Sequence, residues 1–306
     1  MDKAYADTVR LLLNVAPDVF ANDIFAMKGG TAINLFVQDM PRLSVDIDVA
    51  YIPWQVPRDQ ALQAINQELT NIARRLAHLG LRTRLIRSKD LGDTKLIVES
   101  NTSQVKVEVN VVFRGTALPI ERRPLSAQTA ERFSVELELP TLAPDELYGG
   151  KLVAAMDRQH PRDLFDVWQL YQAGGITEGM VECFVTYLAG HNRPLHEVLF
   201  GNDKDIAAEY DSSFVGMTET DCSLTTLLET RQRLRQELPA RLNPSQRQFL
   251  IGLARAQPDW SLLQCPHAAE LPALRWKLSN LETFRKRRPA DFESQAQALE
   301  AHLSAH

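Results

Sequence analysis

Two rhythms of apolar and polar residues run along this chain. Strict alternation marks strands. It is clearest from Val105 to Phe113, where Val105, Val107, Val109 and Val111 fall on one face and Lys106, Glu108 and Asn110 on the other. A shorter alternation, Val45, Ile47 and Val49, runs on through Ile52 and is stopped by Pro53, leaving Asp46 and Asp48 on the opposite face. Leu81–Ile86, Lys95–Val98 and Phe133–Leu139 read as further strands, and Phe25-Ala26-Met27 as the end of an apolar one.

Helical spacing marks other stretches. Val9, Leu12, Leu13 and Ala16 predict a helix from residue 2 to about residue 15, with Pro17 interrupting or ending it. Ala61, Leu62, Ile65, Leu69, Ile72 and Leu76 predict another over 57–79, closed by Gly80. Residues from about 115 to 130, with Pro119 and Pro124, read as a loop. From Pro144 the pattern is helical, with two helices joined at Gln159-His160-Pro161 and stripes such as Val181-Phe184-Val185-Leu188 and Phe249-Leu250-Leu253-Ala254 beyond them. Asn202–Asp211 reads as an acidic loop, and Leu274–Leu281 and Phe292–Leu303 as terminal helices. The expected class is α/β (α+β): a strand-containing domain over residues 1–140, then a mostly helical one over 141–306.

Composition narrows the class of function. With 44% hydrophobic and 24% charged residues, the 306-residue chain has the balance of a globular protein large enough for two modest domains. A formal net charge of −5 argues against nonspecific coating of nucleic acid, though not against a local basic patch. No apolar run approaches the roughly 18–20 residues of a membrane span. Polar residues interrupt the Met1-Asp2-Lys3-Ala4 terminus, so a cytoplasmic location is expected. Cys183, Cys222 and Cys265 lack any zinc spacing and read as reduced thiols.

The candidate chemistry is concentrated in residues 27–49. Gly29-Gly30 allows a tight turn between an apolar strand and a helix that Ala32 to Phe36 begins, with Thr31 as its cap. Such a turn offers free backbone N–H groups to an anion. Asp46 and Asp48 project from one strand face, where like charges repel unless a cation lies between them. Hard divalent ions are bound by such carboxylates together with substrate phosphates. A second constellation lies at 144–170, where Lys151 and Arg158 stand on nearly one helix face and Asp163 and Asp166 on another. Arg82, Arg84, Arg87 and Lys89 form a basic strand, and Arg285-Lys286-Arg287-Arg288 a basic run. Either set is suited to an RNA backbone, and either also reads as a solvated surface.

Lys-Gly-Gly-Thr-Ala at 28–32, followed by Arg-x-Ser-x-Asp-Ile-Asp at 42–48, resembles the AbiEii/AbiGii nucleotidyltransferase toxin family of the DNA polymerase β-like superfamily. The superfamily usually has Gly-Ser in the turn, and Gly29-Gly30 is closer to the toxin branch. The resemblance implies a polymerase-β-like nucleotidyltransferase domain with a mixed sheet, then a helical domain that completes the active-site cleft. It implies an NTP substrate held by Lys28, Gly29, Gly30, Thr31, Arg42 and Ser44. It implies Mg²⁺, with Mn²⁺ as the alternative, on Asp46, Asp48 and a third carboxylate, for which Glu108 is the best-placed residue. Lys151 and Asp166 match the family's second motif and complete the catalytic set with Asp46 and Asp48. The expected activity is transfer of NMP to a tRNA 3′ end or another RNA, blocking translation, in a toxin–antitoxin or phage-defence pair with a cognate antitoxin protein and no membrane partner. A kinase-like or protein-modifying phosphotransferase and a non-catalytic module retaining the fold are the alternatives.

Overall fold

A computed structural model describes residues 3–88 and 92–304. The chain divides into two compact units, Met1–Leu147 and Tyr148–His306.

The first unit is built on one seven-stranded mixed sheet. Its strands are β1 (Phe25–Lys28), β2 (Ile47–Tyr51), β3 (Arg82–Ser88), β4 (Gly92–Glu99), β5 (Gln104–Asn110), β6 (Glu121–Pro124) and β7 (Glu138–Thr141). Their spatial order is β3-β4-β5-β2-β1-β7-β6. β2 runs parallel to β5 and β1 parallel to β7, while the remaining pairs are antiparallel. The helices of this unit are α1 (Lys3–Val19), α2 (Gly29–Ala32), α3 (Arg58–His78) and α4 (Ala127–Phe133). The apolar stripe of α3, Ile65, Leu69, Ile72 and Leu76, is fully buried, as are Leu96, Val98 and Val107 of the sheet face that α1 and α3 cover. The alternation at 105–109 is the sequence form of that arrangement: the valines face the helices, and Lys106 and Glu108 face the other way.

Several expectations need correction. α1 continues through Pro17 to Val19, and the helical bonding resumes with Phe20 N donating to Ala16 O at 3.1 Å. β5 stops at Asn110, not Phe113, because the Asn110 side chain accepts from Val112 N and Phe113 N, both at 3.0 Å, and turns the chain. The stretch read as a loop contains β6, with Pro124 on the edge strand where a missing N–H costs least, and α4. Phe133 therefore ends a helix, Ser134 leaves it at φ +54°, and the strand begins only at Glu138. The expected short helix after Thr31 is α2 followed directly by a π-turn over Ile33–Val37. Lys89 lies outside the described residues.

The second unit is helical. Its helices are α5 (Pro144–Asp157), which begins in the first unit, α6 (Pro161–Gln172), α7 (Glu178–Ala189), α8 (Leu195–Phe200), α9 (Ala207–Ser213), α10 (Leu224–Arg241), α11 (Pro244–Ala254), α12 (Pro272–Arg287) and α13 (Pro289–Ser304). The stretch read as an acidic loop includes α9. Phe165, Phe184, Leu227, Phe249 and Leu299 are among the fully buried core residues. No helix among the described residues is long and apolar enough to cross a membrane.

Candidate functional site

Hydrogen bonding along the sheet sets the geometry of the site in the first unit. Register pairs Lys28 of β1 with Asp48 of β2, and Asp48 with Glu108 of β5. Gly29 follows Lys28 immediately. It sits at φ +77°, and a Cβ there would collide with the Asp48 carboxylate. Only glycine meets both conditions. Gly30 faces Arg42, whose Nη2 would lie 2.5 Å from a Cβ at that position. Arg42 is buried, and its Nη1 donates to Leu43 O at 2.9 Å. The Thr31 and Ser44 hydroxyls are hydrogen-bonded at 2.9 Å. Asn34 ties the loop together: its Nδ2 donates to Gly30 O at 2.7 Å, and its Oδ1 accepts from Arg42 N at 3.2 Å. Thr31 therefore holds Ser44, rather than acting as the expected helix cap; α2 has no side-chain cap bond.

The charges here are unevenly compensated. Burial pushes the Asp48 carboxyl up, and the Asp46 and Glu108 charges add to that, while Lys28 and Lys106 pull it down without prevailing. Burial likewise pushes the Lys28 ammonium down, against the opposing pull of Asp48 and Glu146. Glu146 is itself completely buried and accepts from Ala117 N at 2.7 Å and Leu118 N at 2.9 Å.

Glu108 stands beside Asp48 in register, but both its oxygens are engaged. Lys95 Nζ lies 3.0 Å from Oε1 and Lys106 Nζ 3.0 Å from Oε2. Burial favours its protonated form, yet the bonds from Lys95 and Lys106 outweigh burial and hold it below the usual carboxylate range. Lys106 also reaches Asp46 at 3.5 Å. Among the described residues, no group of three or more acids, histidines or cysteines is gathered to hold a metal. The donor set that fits a hard divalent ion is the oxygen pair Asp46 and Asp48, where burial first and then the Asp46 charge raise the Asp48 carboxyl. The sequence placed Lys106 on the face of Glu108 but did not indicate Lys95: Lys95 and Glu108 are thirteen positions apart in the chain and meet only through strand register.

The second constellation lies within the second unit. Gln159, at φ +58°, makes the turn between α5 and α6, and His160 caps α6 by accepting from Arg162 N at 3.2 Å. The turn brings Lys151 Nζ to 2.7 Å from Asp163 Oδ1 and 2.9 Å from Asp166 Oδ2. Arg158 Nη2 reaches Asp163 Oδ2 at 2.7 Å. Lys151, Asp163 and Asp166 are all buried. Burial opposes ionisation of Asp163, but the charges of Lys151 and Arg158 prevail and hold its carboxyl low. Lys151 is thus clamped by two aspartates. Asp163, which the family resemblance did not single out, is its nearer partner. The signal was present in the sequence, since Asp163 and Asp166 share a helix face.

The sequence matches the family described as "Nucleotidyl transferase AbiEii toxin, Type IV TA system" over residues 10–280. Among solved structures, it is similar to MenT4, a nucleotidyltransferase toxin from Mycobacterium tuberculosis H37Rv, at a TM-score of 0.57 and 18% identity, covering 91% of this chain and 94% of that one. At that identity the likeness shows a shared fold. No curated protein matches the sequence significantly. With its strand–Gly-Gly–helix turn against a strand carboxylate pair, and a family match spanning most of its length, the chain belongs to the AbiEii family of nucleotidyltransferase toxins of type IV toxin–antitoxin systems.

Proposed function

We propose that this toxin transfers NMP from an NTP to the 3′ end of a tRNA or another RNA, and so blocks translation in its cell until a cognate antitoxin intervenes. The observation that carries the reading is the approach of the Asp48 carboxylate to Gly29, which puts an acidic pair and an anion-binding turn at one place. Asp46 and Asp48 would hold Mg²⁺, which neutralises the triphosphate and activates the attacking hydroxyl when bound.

Each residue of the chain then has a defined role. The backbone N–H groups at Gly29 and Gly30 face the phosphates, and Thr31 and Ser44, hydrogen-bonded to each other, hold that turn in shape. Arg42, tied to Asn34 and Leu43, fixes the chain leading to Ser44 and sets a cation beside Gly30. Lys28 opposes the negative charge of Asp48. Glu108 acts through Lys95 and Lys106, holding two cations at the edge of the carboxylate pair. Lys151 and Asp166 belong to the same reaction in this reading, with Asp163 and Asp166 keeping Lys151 charged and oriented. Residues 1–140 are assigned as the catalytic domain and 141–306 as the helical domain.

The test is a labelling assay. Purified protein is incubated with Mg²⁺, total tRNA and each α-labelled NTP in turn, beside Asp48→Asn. Label on tRNA from the wild type alone is the expected result and identifies the base. Label on protein instead would replace the RNA acceptor with a protein hydroxyl, and release of a nucleoside diphosphate would indicate kinase chemistry.

A further inference from the structure

The open face of the sheet carries a row of cations whose outer members, Arg82 and Arg84, have no part in the proposed nucleotide chemistry. Register sets Arg82 against Glu99, Arg84 against Ile97 and Ile86 against Lys95. Lys95 then lies against Glu108, and Ile97 against Lys106. Glu108 lies against Asp48. Alternate residues of a strand share a face, so Arg82, Arg84, Lys95 and Lys106 stand on the same face as Asp46 and Asp48.

The outer cations of the row are accessible and poorly neutralised. The Arg82 side chain is 73% exposed, and among the described residues its carboxylate partner is Glu99, 3.9 Å away. Arg84 is exposed and makes no ion pair among the described residues. Lys95 and Lys106 share the carboxylate of Glu108, and Lys106 also reaches Asp46 at 3.5 Å. Ile86, 37% exposed, lies in the same row and offers an apolar contact. A charged edge strand deters pairing with other sheets, but that explains only β3. The row continues inward onto β4 and β5 and ends at the carboxylate pair.

From this we infer that the face of β3, β4 and β5 is the path of the acceptor RNA, whose phosphates lie on Arg82, Arg84 and Lys95 and whose terminal hydroxyl lies at Asp46 and Asp48. Three strand spacings of about 4.8 Å span about 14 Å. That is the length of about four stacked nucleotides at about 3.4 Å each, so the occupant is a short single-stranded 3′ end. The inference rests on the RNA-acceptor reading.

The experiment measures fluorescence anisotropy of 5′-labelled tRNA with the full chain over a salt series, for the wild type and Arg82→Gln/Arg84→Gln, with Arg285→Gln/Lys286→Gln/Arg287→Gln as the control basic run. Unchanged thermal unfolding confirms that each variant folds. The double variant is expected to bind at least tenfold more weakly. Its log–log salt slope should be shallower by about 1.4, because each lost single-strand phosphate contact removes about 0.7. In the transfer assay its KM for RNA should rise while its KM for NTP stays put. Wild-type affinity, slope and KM in the double variant would overturn the path and leave the RNA reading standing. If the wild type neither binds nor labels RNA, the path and the RNA reading fall together.

Discussion

At Gly29, backbone conformation and the proposed chemistry depend on the same atoms. Gly29→Ala places a left-handed residue's Cβ into the Asp48 carboxylate. Transfer activity is expected to fall on the order of 100-fold or more, with a loss of about 1–2 kcal/mol in urea unfolding from the left-handed conformation alone. The Asp48 and Glu108 carboxylates on this face should differ in effect. Asp48→Asn is expected to lower kcat by on the order of 1,000-fold, since in the proposed reaction it removes a donor for the divalent ion. Glu108→Gln should cost under about tenfold, since its oxygens face lysines and act on the reacting atoms only through them. Initial rates at saturating NTP distinguish the two, and equal losses would make Glu108 a direct ligand.

Among the elements, the junction of α5 with α7 shows where packing overrides propensity. Helix propensity alone has both Gly149→Ala and Gly150→Ala stabilising α5 by about 1 kcal/mol. A Cβ at Gly149 would lie 2.5 Å from Cys183 Cβ and 2.8 Å from Phe184 N, so α7 would have to move back. At Gly150 it would meet only the Tyr187 ring at 3.3 Å, which can tilt. Gly149→Ala is expected to destabilise by about 1–3 kcal/mol and Gly150→Ala to be nearly neutral, as read by urea unfolding. The α5–α6 clamp is a second element-scale device. Lys151→Met leaves Asp163 and Asp166 buried without their shared cation, and a loss of about 3–5 kcal/mol is expected. Arg158 alone cannot compensate, because it reaches Asp163 and its side chain is largely exposed.

For the molecule as a whole, stability should respond to ligand and to pH in ways that identify their sources. NTP with Mg²⁺ at about 100 times its Kd should add about 2.7 kcal/mol to unfolding, and Asp48→Asn should abolish that gain in a thermal melt. Lys277 of α12 is buried, with its ammonium donating to Arg193 O at 2.7 Å. Burial lowers its pKa from an ordinary 10.5 to about 8, against the opposing effect of Glu197. Between those values the unfolded chain holds the proton and the folded chain does not, so this residue's contribution to stability rises with pH across that window. The stability of the wild type relative to Lys277→Met should therefore increase by up to about 3 kcal/mol from pH 7 to 10.5. A flat difference in urea titrations at the two pH values would show that Lys277 holds its proton throughout.

The sequence by itself determined the local geometry of both constellations. Asp46 and Asp48 are two apart at the start of β2, Gly29-Gly30 opens the helix that follows β1, and Asp163 and Asp166 are three apart on α6; the acid spacings fix shared faces through backbone geometry alone. It also placed the buried stripe of α3 and the valine face of β5, because burial leaves a periodic record. Tertiary structure alone decided which residues meet across elements. Strand register set Glu108 against Lys95, and Lys106 reaches both Glu108 and Asp46, so the residue expected as a third ligand also anchors two cations. The αL turn at Gln159 decided that Lys151 would be held by Asp163 as well as Asp166. Pro124 could enter a strand because β6 is an edge, a position that only the completed sheet defines. Periodicity records how each residue faces its own element; pairing partners depend on long-range register, which leaves no periodic mark in the chain.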